Sequence, residues 1–398
     1  MPTKFTTLTD VAEGVWQDTF ELRESAAIRL AAGSEWSIRK RTLRGGVSDG
    51  VDVVDLNNGA LAVSILPTRG MSLWRGHYRG LDLGWDSPVK RPVNPCYVNQ
   101  TDRNGLGWLT GFNELLCRCG LSSNGAPGMD VIVDNTGHRT EARLTLHGKI
   151  ANLPAHHVEI SVSTKEGGLM SVTGIVDEAM MFGPGLRLTT TYETVPNSNR
   201  LTMRDEVVNI AARPMELELL YHTNFGKPFL EKGSRLVLPF REAAPRDSRA
   251  AEDTKTWQIY LGPTSGYTEQ CYFADLFGDD KDKTIVLLRN STGDRGVSLE
   301  YCVRELPCFT VWKCTQPEAD GYVTGLEPAT NLPNLKTFER KQGRVITLAP
   351  GASHSTQIEL AVHASKAEVG AVEERIGELQ NRTHPIVHEQ PISKYSPA

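Results

Sequence analysis

Alternation of apolar and polar residues recurs along most of the chain and predicts a protein built from β-strands, because successive side chains of a strand point to opposite faces. The clearest example is residues 215–226, MELELLYHTNFG. One side of this stretch is almost entirely apolar and consists of Met215, Leu217, Leu219 and Tyr221. The predicted strand therefore carries His222, and then Asn224, on the face away from that apolar row, and Gly226 ends it.

Similar alternation predicts further strands at residues 61–65, 144–146 and 358–362. Turn-forming residues separate such stretches, most clearly Asn57-Asn58-Gly59. Only one stretch has the period of an amphipathic helix, residues 366–382, KAEVGAVEERIGELQNR. Its apolar residues recur at spacings of three and four and are Val369, Val372, Ile376 and Leu379.

Many short strands and almost no helix predict an all-β fold, a large antiparallel β-sandwich with few helices. Residues 1–45 are polar and mixed, and predict either a short helix or an edge strand that packs on the main domain. The β-sandwich itself is expected over residues 46–365, followed at 366–398 by the helix and a mobile tail. Residues 86–130 read as a long loop-rich insert that also contains large apolar side chains, which is typical of an ordered, functional loop.

Composition argues against several classes of function but adds little about the fold. The 398 residues are 39% hydrophobic and 23% charged, as in a soluble globular protein, and the net charge of −5 does not favour binding to nucleic acid or an anionic membrane. No apolar run approaches the ~20 residues that span a bilayer, and no secretion signal begins the chain. Seven scattered cysteines predict reduced thiols in a cytoplasmic protein. Nothing indicates a nucleotide cofactor or an oligomeric state.

Four strand-end elements carry the candidate chemistry. Arg69 lies in a turn within LPTRGMSLW, His147 precedes a glycine in LTLHGKIANLPA, His222 was introduced above, and Glu327 precedes a proline in GYVTGLEPATNLPN. Each also has an ordinary structural explanation: an exposed turn arginine, packed histidines and a surface glutamate. Together they supply a carboxylate and two imidazoles, which suit acid–base catalysis on a sugar, because opening a hemiacetal ring needs one group to remove a proton and another to donate one.

The ordered segments LPTRGMSL, GWDSP, TGFNELLCRCGLSSNGAP, LHGKIANLPA, LLYHTNFG and GLEPATNLPN resemble the galactose mutarotase-like superfamily, in particular its aldose 1-epimerase-related DUF4432 group. The resemblance implies a β-supersandwich with a sugar groove on one sheet. It implies Glu327 as general base, His222 as general acid, His147 near the sugar ring oxygen and Arg69 as a binding residue.

The chain also departs from the family pattern. Thr223-Asn224-Phe225 follow the acid histidine where mutarotases have a Tyr-Phe pair. The family's sugar-binding aspartate has no clear match, Asp247 being a poor one, and the cysteine-containing loop of residues 112–127 has no counterpart in the simple enzymes.

Further ligand-binding candidates are Asn224, Asn113, Trp312 and Lys313, and Arg118 in the loop is another. Lys313 is equally compatible with a surface position. Trp74, Trp85 and Trp108 are compatible with sugar stacking or with core packing.

Three functions follow as hypotheses. The first is an aldose 1-epimerase-like enzyme acting on a small-molecule carbohydrate without a cofactor. The second is a sugar isomerase, epimerase or lyase on the same scaffold, in which His147, His222 and Glu327 bind a divalent metal. The third is a non-catalytic sugar-binding protein.

Overall fold

The computed structural model describes residues 3–25, 28, 30, 35–165 and 167–397. The first strands of this part of the chain are β1 (Thr3–Asp10), β2 (Val15–Trp16), β3 (Phe20–Arg23), β4 (Ser37–Thr42), β5 (Asp52–Asn57), β6 (Leu61–Leu66), β7 (Ser72–Tyr78), β8 (Leu81–Leu83), β9 (Leu116–Leu121), β10 (Gly128–Val133), β11 (Arg139–Leu144), β12 (His157–Ser163) and β13 (Met170–Ala179). The remaining strands are β14 (Gly185–Thr194), β15 (Arg200–Asn209), β16 (Met215–Phe225), β17 (Arg235–Val237), β18 (Phe240–Pro245), β19 (Gln270–Leu276), β20 (Lys283–Arg289), β21 (Gly296–Cys302), β22 (Cys308–Thr315), β23 (Tyr322–Ala329), β24 (Ile346–Leu348), β25 (Ser353–His363) and β26 (Ile386–Val387).

Helices are few and short over the same residues. The α-helices are α1 (Asp102–Gly105), α2 (Ser248–Ala251), α3 (Lys336–Lys341) and α4 (Lys366–Gln380). The 3₁₀ turns are Gly46–Ser48, Pro67–Arg69, Pro95–Tyr97, Gly107–Gly111, Ile150–Asn152, Thr254–Thr256 and Glu318–Asp320. This content confirms the predicted all-β class.

Two large sheets form the body of the described chain. One has 10 strands in the order β17-β20-β21-β25-β15-β14-β13-β12-β1-β2. The other has 14, in the path β26-β18-β19-β22-β23-β16-β9-β7-β6-β5-β4-β3, with β24 and β8 added at its sides. Neighbouring strands run antiparallel apart from β18 and β26, while β10 and β11 form a separate hairpin.

The main core lies between the two large sheets, and β16 shows how it forms. Leu217, Leu219 and Tyr221 are buried in this core together with side chains from strands of the 10-stranded sheet. A buried ion pair also crosses between the sheets, from Arg118 on β9 to Asp205 on β15. Since β16 alternates, His222 lies on the outer face of the 14-stranded sheet, as the sequence pattern predicts.

The described residues of the N-terminal segment form strands and no helix. β1 pairs with β12 inside the 10-stranded sheet, while β3 and β4 extend the 14-stranded sheet. Residues 1, 2, 26, 27, 29 and 31–34 of this predicted segment lie outside the described residues.

The predicted insert at residues 86–130 is only partly loop. Leu116–Leu121 forms β9, a central strand between β7 and β16 with every residue buried. A strand covered on both faces loses its alternating pattern. The charged residue Arg118 within β9 made the stretch look even less like a buried strand.

The predicted helix is confirmed, and the segment after it, predicted as a mobile tail, contacts β18 and Asn334. α4 begins with Ser365 as its N-cap and buries the four apolar residues of the predicted stripe. Beyond it, β26 pairs with β18, and the main-chain oxygen of the buried Tyr395 accepts a hydrogen bond of 2.8 Å from Asn334 Nδ2. Such contacts join residues far apart in the chain, so local polarity did not indicate them.

Candidate active site

A second group of buried side chains lies on the outer face of the 14-stranded sheet, and we call it the outer cluster. Its members are Trp108, Phe112, Cys117, Cys119, Ala151, Leu220, Ala244, Phe273, Cys308, Ala329, Leu332 and Tyr395. Trp85 and Trp312 pack against it. The sheet contributes small or apolar residues, the loop before β9 contributes Trp108 and Phe112, and the C-terminal segment contributes Tyr395. His222 and Glu327 lie within this apolar surface.

His222 and Glu327 contact each other directly. They come from the adjacent strands β16 and β23, and His222 Nε2 lies 3.2 Å from Glu327 Oε1. The two residues are only 4% and 2% exposed. Gly325 makes room for them, because a Cβ at that position would lie 2.4 Å from Glu327 Oε1 and 3.1 Å from His222 Cε1.

Asn224 fixes the orientation of the His222 ring. Its Oδ1 lies 2.7 Å from His222 Nδ1, and its Nδ2 donates to the main-chain oxygens of Glu114 and His222. Because Oδ1 can only accept, Nδ1 carries a hydrogen and Nε2 is the nitrogen that faces Glu327. Asn224, predicted to bind substrate, therefore uses its polar atoms within the protein and positions His222.

Burial sets the proton distribution of this pair. Burial raises the pKa of Glu327 to about 8, against the opposing effect of a charged His147. Burial, followed by repulsion from His147, lowers the pKa of His222 to about 3. Near neutral pH the pair thus holds one proton, on the carboxyl group, next to an unprotonated Nε2.

His147 lies beside the pair in a strained turn. Its φ is 58° and that of Gly148 is 68°, a left-handed conformation that favours glycine at the second position. The His147 ring is 5.5 Å from that of His222 between centroids, and its Nδ1 donates to Asn124 O over 2.8 Å. The structure thus brings together the predicted trio His147, His222 and Glu327.

Aromatic rings enclose the three polar residues. The ring centroid of Trp108 lies 4.6 Å from that of His147, and the centroids of Phe112 and Trp312 lie 5.0 and 5.3 Å from that of His222. Trp312 Nε1 donates to Glu269 Oε2 over 2.7 Å. Trp312 therefore lies beside His222, with its ring half-buried and its indole N–H bonded to Glu269, and its predicted role in substrate binding stays a prediction.

Several buried polar atoms around the site have no hydrogen-bond partner in the protein. Among the described residues, those at this site are Trp108 Nε1, Asn113 Oδ1, Thr310 Oγ1 and Glu327 Oε1. Thr310 is the cross-strand neighbour of Glu327. Buried polar groups are nearly always paired in proteins, so these atoms are candidates for hydrogen bonds with a polar ligand.

Arg69 lies behind the loop and not at the ligand position predicted for it. Its Nε pairs with Glu114 Oε1 at 2.7 Å, and its Nη1 and Nη2 donate to Val93 O, Asn152 Oδ1 and Gly111 O. These bonds use four of its five N–H groups. Arg69 therefore holds the loop that carries Trp108 and Phe112.

Asn113 lies in the same loop and is partly available to a ligand. Its side-chain Nδ2 donates to Val89 O over 2.9 Å, while its buried Oδ1 is one of the unpaired atoms above. The prediction that Asn113 binds substrate stays a prediction.

Lys313 and Arg118 point away from the site. Lys313 follows Trp312 on β22 and so faces the opposite side, where its Nζ donates to the main-chain oxygens of Trp257 and Ile259. Burial lowers the pKa of Lys313 to about 8. Arg118 alternates with the two cysteines of β9 and binds Asp205 in the main core. Because successive side chains of a strand point to opposite faces, neither Lys313 nor Arg118 lies on the ligand face.

Sequence reasoning missed Arg246 and Glu269, which form a charged rim next to Trp312. Arg246 Nη2 lies 3.0 Å from Glu269 Oε1, and its Nε lies 2.9 Å from Asp247 Oδ2. Neither residue belongs to a motif or a clear periodic pattern, so only the pairing of β18, β19 and β22 brings them to the site. Asp247 also caps α2 by accepting from Ala250 N.

The hypothesis that His147, His222 and Glu327 bind a divalent metal stays a hypothesis. Within the described part of the chain, no group of three His, Cys, Asp or Glu side chains is arranged to hold a metal ion. The ring nitrogens Nδ1 of His147 and His222 are both occupied by hydrogen bonds to Asn124 O and Asn224 Oδ1.

Comparison with solved structures defines the class of protein. A candidate aldose 1-epimerase from Klebsiella pneumoniae has a TM-score of 0.92 and 35% identity, with 98% of this chain and 99% of that chain covered. A galactose mutarotase-like protein from Clostridium acetobutylicum has a TM-score of 0.56 and 17% identity, over 87% of this chain and 99% of that one. A candidate aldose 1-epimerase from Escherichia coli K12 has a TM-score of 0.54 and 14% identity, over 79% and 100%. The fold is the galactose mutarotase-like β-sandwich.

The family follows from the sequence match. Residues 48–362 match the model of DUF4432, a domain of unknown function, and the chain belongs to that family. No curated protein matches the chain.

None of the helices in the described residues is both long and apolar enough to cross a lipid bilayer.

Proposed function

We propose that the protein is an aldose 1-epimerase-like enzyme that interconverts the anomers of an aldose or a sugar derivative by general acid–base catalysis. The observation that carries this proposal is the buried pair of His222 Nε2 and Glu327 Oε1, 3.2 Å apart. Two similar solved structures, both described as candidate aldose 1-epimerases, support the same reaction class.

The geometry of the pair suits the two oxygens of a hemiacetal. The anomeric hydroxyl and the ring oxygen are bonded to the same carbon, so an acid and a base that act on them must also lie side by side. Glu327 removes the hydroxyl proton, His222 protonates the ring oxygen, and the carbon–ring-oxygen bond breaks to give the open-chain aldehyde. Rotation about the adjacent C–C bond and the reverse proton transfers close the ring with the other configuration.

The proton count of the pair also suits this exchange. The reaction needs one acid and one base at the same time, and it returns both to their starting states after ring closure. Since the pair holds one proton near neutral pH, transfer of that proton from Glu327 to Nε2 on substrate binding produces the carboxylate and the imidazolium that the first step requires. No cofactor is needed for this chemistry.

The surrounding residues supply sites for sugar binding. We propose that sugar hydroxyls pair with Trp108 Nε1, Asn113 Oδ1 and Thr310 Oγ1, whose polar atoms are buried and unpaired in the protein. Trp312 offers an aromatic face next to His222, and aromatic rings commonly pack against apolar surface of a ligand.

The test is anomer exchange measured by proton NMR across a panel of aldoses, keto sugars and uronic acids, with the metal content of the same sample assayed. A faster exchange between α and β anomers for one sugar, insensitive to chelator, supports the proposal and identifies the substrate class. E327Q protein purified in parallel controls for contaminating mutarotase activity.

Absence of acceleration for every sugar would contradict the proposal. Stoichiometric bound metal together with no exchange would favour an isomerase or lyase. A sugar that binds without any exchange would favour a binding protein.

A further inference from the structure

Aromatic rings close the proposed acid–base pair off from solvent. His222 and Glu327 lie on the outer face of the 14-stranded sheet, yet both residues are buried. The ring centroids of Trp108 and Phe112 lie 6.1 and 5.0 Å from that of His222, and the two rings are 4.7 Å apart between centroids. Since a sugar must touch both His222 and Glu327 to react, part of this cover has to move before a sugar can bind.

The part of the cover that carries Phe112 is tied to the rest of the protein. The main-chain oxygen of Phe112 accepts a hydrogen bond of 2.8 Å from Ser87 Oγ. The next residue, Asn113, donates from Nδ2 to Val89 O over 2.9 Å. These contacts fix the loop from Phe112 onwards.

The segment that carries Trp108 has weaker ties. It consists of residues 105–111, GLGWLTG, and we call it the Trp108 flap. Among the described residues, the main-chain hydrogen bonds of residues 106–110 all join them to residues 100–112 of the same loop. Leu109, next to Trp108, is 44% exposed. Segments with few bonds to the body of a protein open at a low cost in free energy.

The indole N–H of Trp108 is also untethered, unlike those of the two other tryptophans at the site. Trp85 Nε1 donates to Glu114 O over 3.2 Å, and Trp312 Nε1 donates to Glu269 Oε2 over 2.7 Å. Trp108 Nε1 is buried without a partner in the described protein. Because an unpaired buried donor is unfavourable, the present position of Trp108 becomes more stable when a ligand supplies an acceptor.

The two ends of the Trp108 flap differ in their backbone. Arg103, Asn104 and Gly105 have φ values of 49°, 63° and 95°, so a run of left-handed residues leads into the flap. At the other end, Gly111 O accepts a hydrogen bond of 3.1 Å from Arg69 Nη2. The flap therefore lies between a sharp turn and an anchored residue.

We propose that the Trp108 flap is a gate, which moves away from His222 to admit a sugar and then closes with Trp108 Nε1 donating to a sugar oxygen. The gate rests on the proposed function for the identity of the ligand, whereas motion of the flap does not depend on it. Closure of a loop over a substrate excludes water and completes the site. Since only the closed flap makes the bond from Nε1, the sugar shifts the flap towards the closed state.

The experiment is ¹⁹F NMR of full-length protein labelled with 5-fluorotryptophan, with the Trp108 signal assigned from W108F. In the sugar-free protein Trp108 is expected to show relaxation dispersion, because opening on the μs–ms timescale exchanges its ring between two environments. Trp36 is the matched control, assigned from W36F. Both rings are 1% exposed with an unpaired Nε1, but Trp36 belongs to the main core and should show no dispersion.

The variant Q100A tests the flap without altering a tryptophan. Gln100 Nε2 donates to Gly148 O over 2.7 Å and so ties the start of the loop to the turn of His147. Loss of one such hydrogen bond should raise the open population about 2–12-fold, which increases the dispersion of Trp108. Q17A is the control, because it removes the 2.7 Å bond from Gln17 Nε2 to Thr7 O, and Trp108 should then behave as in the unaltered protein.

A Trp108 signal as free of dispersion as that of Trp36, or equal dispersion of Trp108 in Q100A and the unaltered protein, would overturn the gate. Saturation with the aldose that shows the fastest anomer exchange should suppress the dispersion of Trp108, and unchanged dispersion at saturation would overturn it as well.

The sugar-free measurements are independent of the anomer-exchange assay. A protein with a mobile Trp108 that accelerates no sugar refutes only the proposed function. An active enzyme in which Trp108 is as rigid as Trp36 refutes only the gate.

Discussion

His222 Nε2 and Glu327 Oε1 lie 3.2 Å apart, in a position where neither residue is more than 4% exposed. Such contact between two titratable groups in an apolar surrounding separates their pKa values and assigns one proton to the pair. The predictions below follow from that proton and from the residues that hold the two groups in place.

The pH dependence of anomer exchange is expected to have an alkaline limit near pH 8. Above the pKa of Glu327, about 8, the pair loses its only proton and no acid remains. The rate constant kcat/KM should then fall about tenfold per pH unit. On the acid side, activity should persist until His222 gains a second proton near its pKa of about 3. A profile that stays flat well above pH 8 would show that Glu327 ionisation does not limit the reaction.

Replacement of Glu327 by glutamine should remove catalysis while sugar binding is retained. The amide keeps the shape of the carboxyl group but cannot act as a base, so the rate should fall by about 10²–10⁴ or more. Anomer exchange by NMR and sugar affinity by calorimetry measure the two effects separately. Normal turnover in E327Q would refute the assignment of Glu327 as the base.

The variant H222A should slow turnover by about 10²–10⁴, the usual contribution of a general acid. His354, a half-buried histidine on β25 of the other large sheet, provides the control, and H354A should leave the rate unchanged. If H222A and H354A behaved alike, His222 would have only a packing role.

The variant G325A should lose activity without unfolding. The added Cβ would lie 2.4 Å from Glu327 Oε1 and 3.1 Å from His222 Cε1, so the contact between acid and base must open. We expect a loss of at least about 10²-fold in kcat, comparable with removal of one of the two groups. G377A is the matched control. A Cβ at Gly377, within α4, meets nothing within 4 Å, and alanine there should add about 0.5–1 kcal/mol of stability. Full activity in G325A would mean that the 3.2 Å contact is not required.

The variant R69M should reduce stability more than it affects contacts to sugar. It leaves Glu114 buried without its 2.7 Å partner, and breaking such a pair typically costs about 3–5 kcal/mol. Urea denaturation measures the change in the free energy of unfolding. R39M, which breaks the exposed pair of Arg39 and Glu21, should cost less than about 1 kcal/mol. A stable R69M protein with weakened sugar binding would restore Arg69 to the role first predicted for it.

The sequence by itself determined the fold class and the strand that bears His222. Its alternation placed Leu217 and Leu219 in the core and His222 on the opposite face, because a period of two assigns faces wherever one side of a strand is buried. The four apolar residues of α4 were determined in the same way by the helical period. Turn glycines indicated that Arg69 and His147 follow strands, but Glu327, predicted at a strand end because a proline follows it, lies within β23.

Only the tertiary structure decided which of those polar groups share one site. Arg69, Lys313 and Arg118 had suitable chemistry, but the register of the sheets and the path of the loop directed them to protein partners. Arg246 and Glu269 had no distinguishing local pattern, yet strand pairing brings them beside Trp312. Local patterns specify the face of a strand, whereas the neighbours of a side chain depend on strand order, which depends on contacts between residues far apart in the chain.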